Sequence, residues 1–337
     1  MSELTLIKTH PGELSFPLFE AVLENVYEAD SLRLKQTESV NQSFLVECWI
    51  VMRNDVPLAR LAIYNNPQLR FQEQQAGCIG NYECENDPET ARFILQKAFE
   101  RLKELEISYV IGPMNGSTWD NYRFSTHHNA APFLLEPHHH LYYNDQFIEN
   151  GFEVISNYTS SFDTSLPHDL PELLERERYF SALGVVIRSI DLTRFDKELE
   201  SLYPFILAAF QTNFLYTPID WESFRDKYRE ALKIIDPDFV LIAEDAHKQP
   251  IGFVFAYQNL YCTTEKQLVI KTIARSYDKQ WSGLGHVIAN QVIRNAGQHG
   301  FSALIHAFMI RQATSTEISR NFSGEVYKNY ALYGRSL

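Results

Sequence analysis

Gln280-Trp281-Ser282-Gly283-Leu284-Gly285 stands between a β-branched run, Leu268 to Ala274, and a stretch from His286 to Gln298 whose Val287, Ile288, Gln291, Val292 and Ile293 recur at helical spacing. A Gly-rich turn that opens a helix offers several unpaired N–H groups and the positive end of the helix dipole, and two missing side chains let an anion approach the backbone. That chemistry suits a pyrophosphate. Gln280, Trp281, Ser282, Gly283, Leu284 and Gly285 are therefore the candidate cofactor-binding residues.

Other groups offer less. Glu265 precedes the same strand and His306 alternates along the next one, and each has an ordinary reading as a solvated carboxylate or a hydrogen-bonded structural histidine. His127-His128 and His138-His139-His140 invite a metal reading, but neighbouring histidines on extended chain point alternately and no Cys or carboxylate spacing completes a tetrahedral set, so no metal is expected. Asn115, Trp119 and Tyr122 follow a predicted strand and combine an amide with two aromatic rings, which suits a small polar or amine-bearing molecule. Trp119 reads equally well as packing.

The elements that must position these groups occur twice. Phe239 to Asp245 and Pro250 to Tyr257 flank a polar turn as a hairpin, and Ser302 to Ile310 resumes as strand after the helix. In the first half, Phe44 to Met52 and Leu58 to Tyr64 flank a turn-forming Asn54-Asp55, and Cys78 to Cys84 is the next strand. Asp87-Pro88 then caps a helix with an apolar face of Ala91, Ile94, Leu95, Ala98, Leu102 and Leu105, before strand Ser108 to Gly112. Where the second half has glycines, the first has Glu85-Asn86-Asp87-Pro88-Glu89-Thr90, whose carboxylates repel phosphate. Thr164 to Pro171 breaks regular structure, and Glu172 to Tyr179 forms a short charged helix between the halves.

A net charge of −13 opposes nucleic-acid binding and favours a cationic or amine partner. No apolar run reaches the roughly 18 residues of a membrane span. Met1-Ser2-Glu3-Leu4 has no signal-peptide pattern, so a cytoplasmic protein is expected. Cys48, Cys78, Cys84 and Cys262 have neither zinc nor disulfide spacing and are expected to be reduced and structural.

The spacing Q-x-x-G-x-G, with the order hairpin, strand, Gly turn, helix, strand, helix, resembles the acyl-CoA signature and core of the GNAT acyltransferase superfamily. Gly112-Pro113-Met114-Asn115 and Tyr142-Tyr143 through Gly151-Phe152 further resemble a bacterial family of putative N-acyltransferases. The loop after Ile310, Arg311-Gln312-Ala313-Thr314, departs from that family's acidic residue and Asn. The resemblance implies an α/β fold with an α+β mixed sheet, built as two tandem GNAT-like domains: residues 1–165 with a degenerate cofactor motif, and residues 183–337 binding acyl-CoA. It implies that the strand Val269 to Arg275, with Ile273 and Arg275, holds the pantetheine arm through its backbone. It also places Tyr330 at the Tyr of a Y-x-x-x-G element that protonates the departing thiolate, while the i, i+3 spacing of Tyr327, Tyr330 and Tyr333 reads by itself as a helix whose aromatic stripe packs the core. The implied activity is N-acyl transfer from acetyl-CoA or another acyl-CoA to a small-molecule amine acceptor, without nucleic-acid or membrane partners. A non-catalytic acyl-CoA-binding or interaction protein, and an aminoacyl-tRNA-dependent ligase of the same duplicated fold, are the alternatives.

Overall fold

The computed structural model describes residues 3–29, 31–36, 40–128, 130–166, 168–310 and 324–337. The first half of the chain gives β1 (Thr5–Thr9), α1 (Phe16–Val26), α2 (Leu32–Lys35), β2 (Leu45–Arg53), β3 (Val56–Tyr64), β4 (Arg70–Phe71), β5 (Gln74–Cys84), α3 (Pro88–Glu104), β6 (Tyr109–Gly112), β7 (Phe124–Ser125), α4 (Tyr142–Glu149) and β8 (Glu153–Asp163). A linking helix α5 (Pro171–Ala182) follows. The second half gives β9 (Val186–Ser189), α6 (Phe195–Phe210), α7 (Trp221–Glu230), β10 (Val240–Glu244), β11 (Pro250–Gln258), β12 (Gln267–Arg275), α8 (Leu284–Gln298), β13 (Ala303–Ile310) and β14 (Glu325–Ser336).

Local chemistry explains most of these elements. Asn54 and Asp55 both take positive φ, at 50° and 62°, the geometry of a two-residue hairpin turn, which tightens the predicted β2–β3 loop to those two residues. The Asp87 side chain accepts from the N–H groups of Glu89 and Thr90 and so caps α3, with Pro88 in its first turn. No helix among the described residues is long and apolar enough to cross a membrane.

The strands form one mixed sheet whose main path runs β1-β2-β3-β5-β6-β14-β8-β13-β12-β11-β10-β9. The order is nearly palindromic: each half builds the same antiparallel run toward a parallel pair, β5 with β6 and β12 with β13. The last strand of each half then crosses over. β8 pairs with β13 of the second half, and β14 pairs with β6 of the first while also lying against β8. On the second half, α5 and α8 cover one face and α6 and α7 the other; on the first, α3 and α4 oppose α1.

β14 corrects one expectation. Tyr327, Tyr330 and Tyr333 lie on a strand, not on a helix. Tyr330, Ala331, Leu332 and Tyr333 are all buried, so the segment has no solvent face. It reads as the continuous apolar run of a strand covered on both sides, on which an i, i+3 spacing of aromatics carries no helical information. Residues 311–323, including Arg311 to Thr314, lie outside the described residues.

The exchanged strands generate a prediction. A fragment beginning at Leu183 leaves β13 without β8 and β14 without β6, exposing two ladders of backbone groups. It is expected to show no cooperative thermal unfolding by circular dichroism on its own, and a fragment that melts sharply would contradict the exchange.

Candidate functional site

β12 and β13 pair only from Gln267 to Ile270 against Ala303 to His306, and then diverge. Two irregularities force them apart. Against β11, Phe255 and Ala256 face Thr272 and Ile270, so Lys271 is an extra residue in β12, left out of the ladder as in a β-bulge. On β13, the register against β8 shifts between His306 and Met309, and Phe308 takes a φ of +57°. The result is a wedge between the strands whose walls carry backbone polar groups.

The Gly turn closes the end of this wedge. Asp278 accepts from the Gln280 N–H and from its side-chain amide, which fixes the turn, and Gly283 then serves as the N-cap of α8 at φ +91° with no side chain capping the helix. Gly252 lets α8 lie close on β11, because a Cβ there would collide with Ile288. Gln280 and Ser282 are exposed, while Trp281 packs toward Phe180 and Leu284 and Gly285 are buried, so the six residues divide into an outer set and a supporting set. Ile273 packs onto the α8-side core, and Arg275 donates to the Ser276 carbonyl, 2.7 Å away, bracing the turn's start. The linker joins from outside. Asp169 accepts from Asn290 and Arg294 of α8, and the Arg176 guanidinium on α5 lies 3.3 Å from where a Cβ of Gly283 would stand.

The first half holds the same device, filled. Arg60 and Ala62 face Glu83 and Gly80, so β5 also bulges, at Asn81 with φ +47°. Here the Asn115 Oδ1 accepts the Asn81 N–H at 2.9 Å, and the Met114 N–H donates to the Ile79 carbonyl at 2.9 Å. Asn115 is buried and its side chain closes the wedge; a Cβ on Gly80 would strike it. At the equivalent turn, Asp87 occupies the helix N-terminus and Arg53 bridges Glu85, Asp87 and Glu89 at 3.2–3.7 Å. Beyond the bulge, Glu83 is buried with Arg33, 2.7 Å away, and with the Tyr27 and Tyr143 hydroxyls.

The other predicted residues separate. Trp119 reaches across to the second half, where its indole N–H donates to the Thr217 carbonyl at 2.8 Å and its ring packs with Phe210, Tyr216 and Phe224. Tyr122 is part-exposed and meets Tyr158 edge-on. Tyr330, 1% exposed, donates its hydroxyl to Glu136 at 2.8 Å and stacks edgewise on Phe308; burial, with Glu136 beside it, pushes the phenol far above its ordinary pKa. Glu136 also holds Lys328 at 2.6 Å, both nearly inaccessible to solvent. Tyr327 is part-buried against Phe162, and burial pushes its phenol up as well. Glu265 is exposed at the end of β12 far from the Gly turn and accepts from Ser302, which with Gln267 lowers its pKa. His306 is buried, and desolvation pushes it down to about 4. The His139 Nε2 accepts the Ser125 N–H, and among the described residues no three His, Cys, Asp or Glu side chains gather as a metal site. Lys271, Arg123 and Arg176 are the residues that sequence reasoning passed over. Only Lys271 left a signal, a lone cation inside Leu268-Val269-Ile270-Lys271-Thr272-Ile273.

No protein-family model matches the chain. A bacterial ceramide synthase of Caulobacter vibrioides is 24% identical over 174 residues, half of this chain and 44% of that protein. Among solved structures, the GCN5-related glucosamine N-acetyltransferase region of a fungal multi-domain GH3 β-N-acetylglucosaminidase superposes over 99% of the chain and 38% of that protein with a TM-score of 0.59 and 11% identity. A tandem GNAT protein from the clavulanic acid biosynthesis pathway superposes over 99% of this chain and 98% of its own with a TM-score of 0.54 and 9% identity. The chain has the GNAT fold, in tandem.

The Glu136 cluster separates two contributions to stability. Tyr330→Phe removes one hydrogen bond and is expected to cost about 1 kcal/mol, whereas Glu136→Ala leaves the buried Lys328 ammonium without its carboxylate and is expected to cost about 3–5 kcal/mol. Urea unfolding of both variants measures the difference, and equal losses would show that the ion pair is not the stabilising element.

Proposed function

We propose that the protein is an acyl-CoA-dependent N-acyltransferase, in which residues 183–337 bind the thioester and residues 1–165 shape the acceptor side. The observation that carries this reading is internal to the chain. The same wedge and bulge occur twice, closed by Asn115 and Asp87 in the first half but ending in a Gly turn without a side-chain cap in the second. In the first half an amide oxygen sits on the bulge N–H; in the second, a thioester carbonyl takes the corresponding donor at Lys271 and is polarised by it. Ser282, Gly283 and the first N–H groups of α8 hold the pyrophosphate, with the Arg176 guanidinium beside it.

Transfer is direct. The acceptor amine attacks the thioester carbon, a C–N bond forms, the C–S bond breaks, and the thiolate takes up a proton. A covalent cysteine intermediate is disfavoured because Cys48, Cys78 and Cys84 are buried and desolvation pushes their thiols up, to about 12 for Cys48 and Cys84. Cys262 lies in the loop before β12, at the end remote from the Gly turn. Tyr330, proposed from its motif as the acid, has its proton already committed to Glu136. Tyr330→Phe tests that role, and with the phenol so held kcat/KM is expected to stay within about threefold of wild type. The acyl group is acetyl or longer; the ceramide synthase relative gives reason to test long chains beside acetyl-CoA.

Calorimetry with CoA is expected to give one site per chain. Ser282→Glu, at an exposed position, and Gly283→Glu place negative charge on the turn and are expected to weaken binding by at least about tenfold, with Arg176→Ala weakening it less. Undiminished binding in both Glu variants would refute the cofactor assignment. CoA binding without acylation of any amine in a panel would favour a binding protein over an enzyme.

A further inference from the structure

The acceptor side of the β12–β13 wedge is cationic, although the chain as a whole is strongly acidic. Arg123 projects from the first half at a φ of +83°, a backbone conformation that an L-residue holds only when its surroundings impose it, and its N–H donates to the Pro113 carbonyl. Its guanidinium carbon lies 3.8, 4.4 and 4.6 Å from the ring centres of Tyr122, Tyr158 and Phe308. Phe308 is the positive-φ residue at which β13 leaves β12, so this ring cage sets the guanidinium on the wall of the wedge. The Arg123 Nη1 is buried with no hydrogen-bond partner among the described residues.

Lys271, the bulge residue, lies near enough to Arg123 for their charges to interact. It is exposed to solvent yet closely surrounded by protein, and desolvation, with Lys227 and Arg123 nearby, pulls its ammonium down to about 8. Lys227 is answered by Asp120, 2.9 Å away. Among the described residues no carboxylate forms an ion pair with Lys271 or Arg123. An aromatic-caged arginine whose Nη1 has no partner, beside the point where β13 leaves β12, and a bulge lysine near enough to feel its charge form an arrangement suited to recognising an anion.

We propose that this crevice is the acceptor subsite and that the acceptor carries, besides its amine, an anionic group, a carboxylate or a phosphate, bound by Arg123 and Lys271. The proposal rests on the acyltransferase reading for its amine and on the crevice alone for its anion. Local cations offset the repulsion that a net charge of −13 would otherwise impose on such a molecule. Tyr122 enters as the ring that holds the guanidinium in place, a positioning residue.

The test uses the full chain and pairs of amines that differ by an anionic group: serine against serinamide, phosphoethanolamine against ethanolamine, with acetyl-CoA and a long-chain acyl-CoA as donors. The anionic member of at least one pair is expected to have about a 10- to 100-fold higher kcat/KM, the first pair identifying a carboxylate and the second a phosphate, and the preference is expected to collapse in Arg123→Gln and to shrink in Lys271→Gln. CoA affinity is expected to be unchanged in both variants. A second measurement needs no turnover: acetate and inorganic phosphate are titrated against melting temperature in saturating CoA, so that the Gly turn is filled. At least one of them is expected to give saturable protection in wild type that is lost in Arg123→Gln and partly restored in Arg123→Lys. Should Arg123→Gln fold poorly, Lys271→Gln, at an exposed position, decides. Equal turnover within both pairs, or protection by the anions that is absent in wild type or independent of both cations, would overturn the subsite. Failure of CoA to bind would instead overturn the acyltransferase reading, with the dependence of protection on Arg123 still deciding the anion site.

Discussion

The central ladder, β6-β14-β8-β13, is the constraint on which the rest depends. A backbone donor or acceptor buried in a sheet must find a partner, and each half of this chain ends its parallel pair with an edge that its own last strand does not cover. The exchange satisfies both edges at once and makes the sheet continuous. It also fixes the relative placement of the two helical layers, so that Trp119 of the first half packs among the rings of α6 and α7 and Arg123 reaches Phe308 of β13. Lys328, Glu136 and Tyr330 are buried at this seam, where a charged pair is tolerated because hydrogen bonds surround it.

Given that frame, one structural device has been put to two uses. A bulge in the strand before the helix parts the parallel pair and leaves one amide outside the ladder. In the first half Asn115 answers that amide, Asp87 answers the helix N-terminus, and Glu83 with Arg33 fills the space beyond. The bulge N–H, the helix N-terminus and the buried Glu83 carboxylate each meet a protein partner, and the half serves as a support. The second half keeps the irregularity, and among its described residues no side chain caps the α8 N-terminus. Sites of this kind combine a stiff scaffold with backbone groups aimed at an opening, which is how preorganised donors act on charge that develops during reaction.

Local chemistry made much of this legible in the sequence. The Gly283 turn, the Asp87 cap, the Asn54-Asp55 hairpin and the strand pattern of Leu268 to Ala274 each depend on neighbours within a few residues, and each is found in the structure. The duplicated order was readable because both copies obey the same periodicities. Non-local partners were not readable. Nothing within Tyr330 to Arg335 says that the segment will be covered on both faces, so three tyrosines at i, i+3 suggest a helix when only the partners β6 and β8 decide otherwise. Asn115 follows the same logic: its residue type suits recognition, and only the approach of Asn81 from another strand shows that its amide is spent within the fold. Lys271 was visible as an isolated cation in an apolar strand, but its meaning depends on a one-residue bulge that has no signature of its own.

The strand exchange also bears on the order in which the molecule can be made. β14 follows every other strand in the chain, yet its place is near the middle of the sheet, between β6 and β8. While the polypeptide emerges from the ribosome, the first half cannot complete itself, and β6 must wait with an unpaired edge through the synthesis of more than two hundred further residues. During that interval the nearest surrogate for β14 is the corresponding strand of a second nascent chain. The arrangement that welds the two halves into one body therefore carries its hazard of misassembly through the interval between the synthesis of β6 and that of β14, and chaperone cover over that interval would act on folding yield without touching any residue of the site.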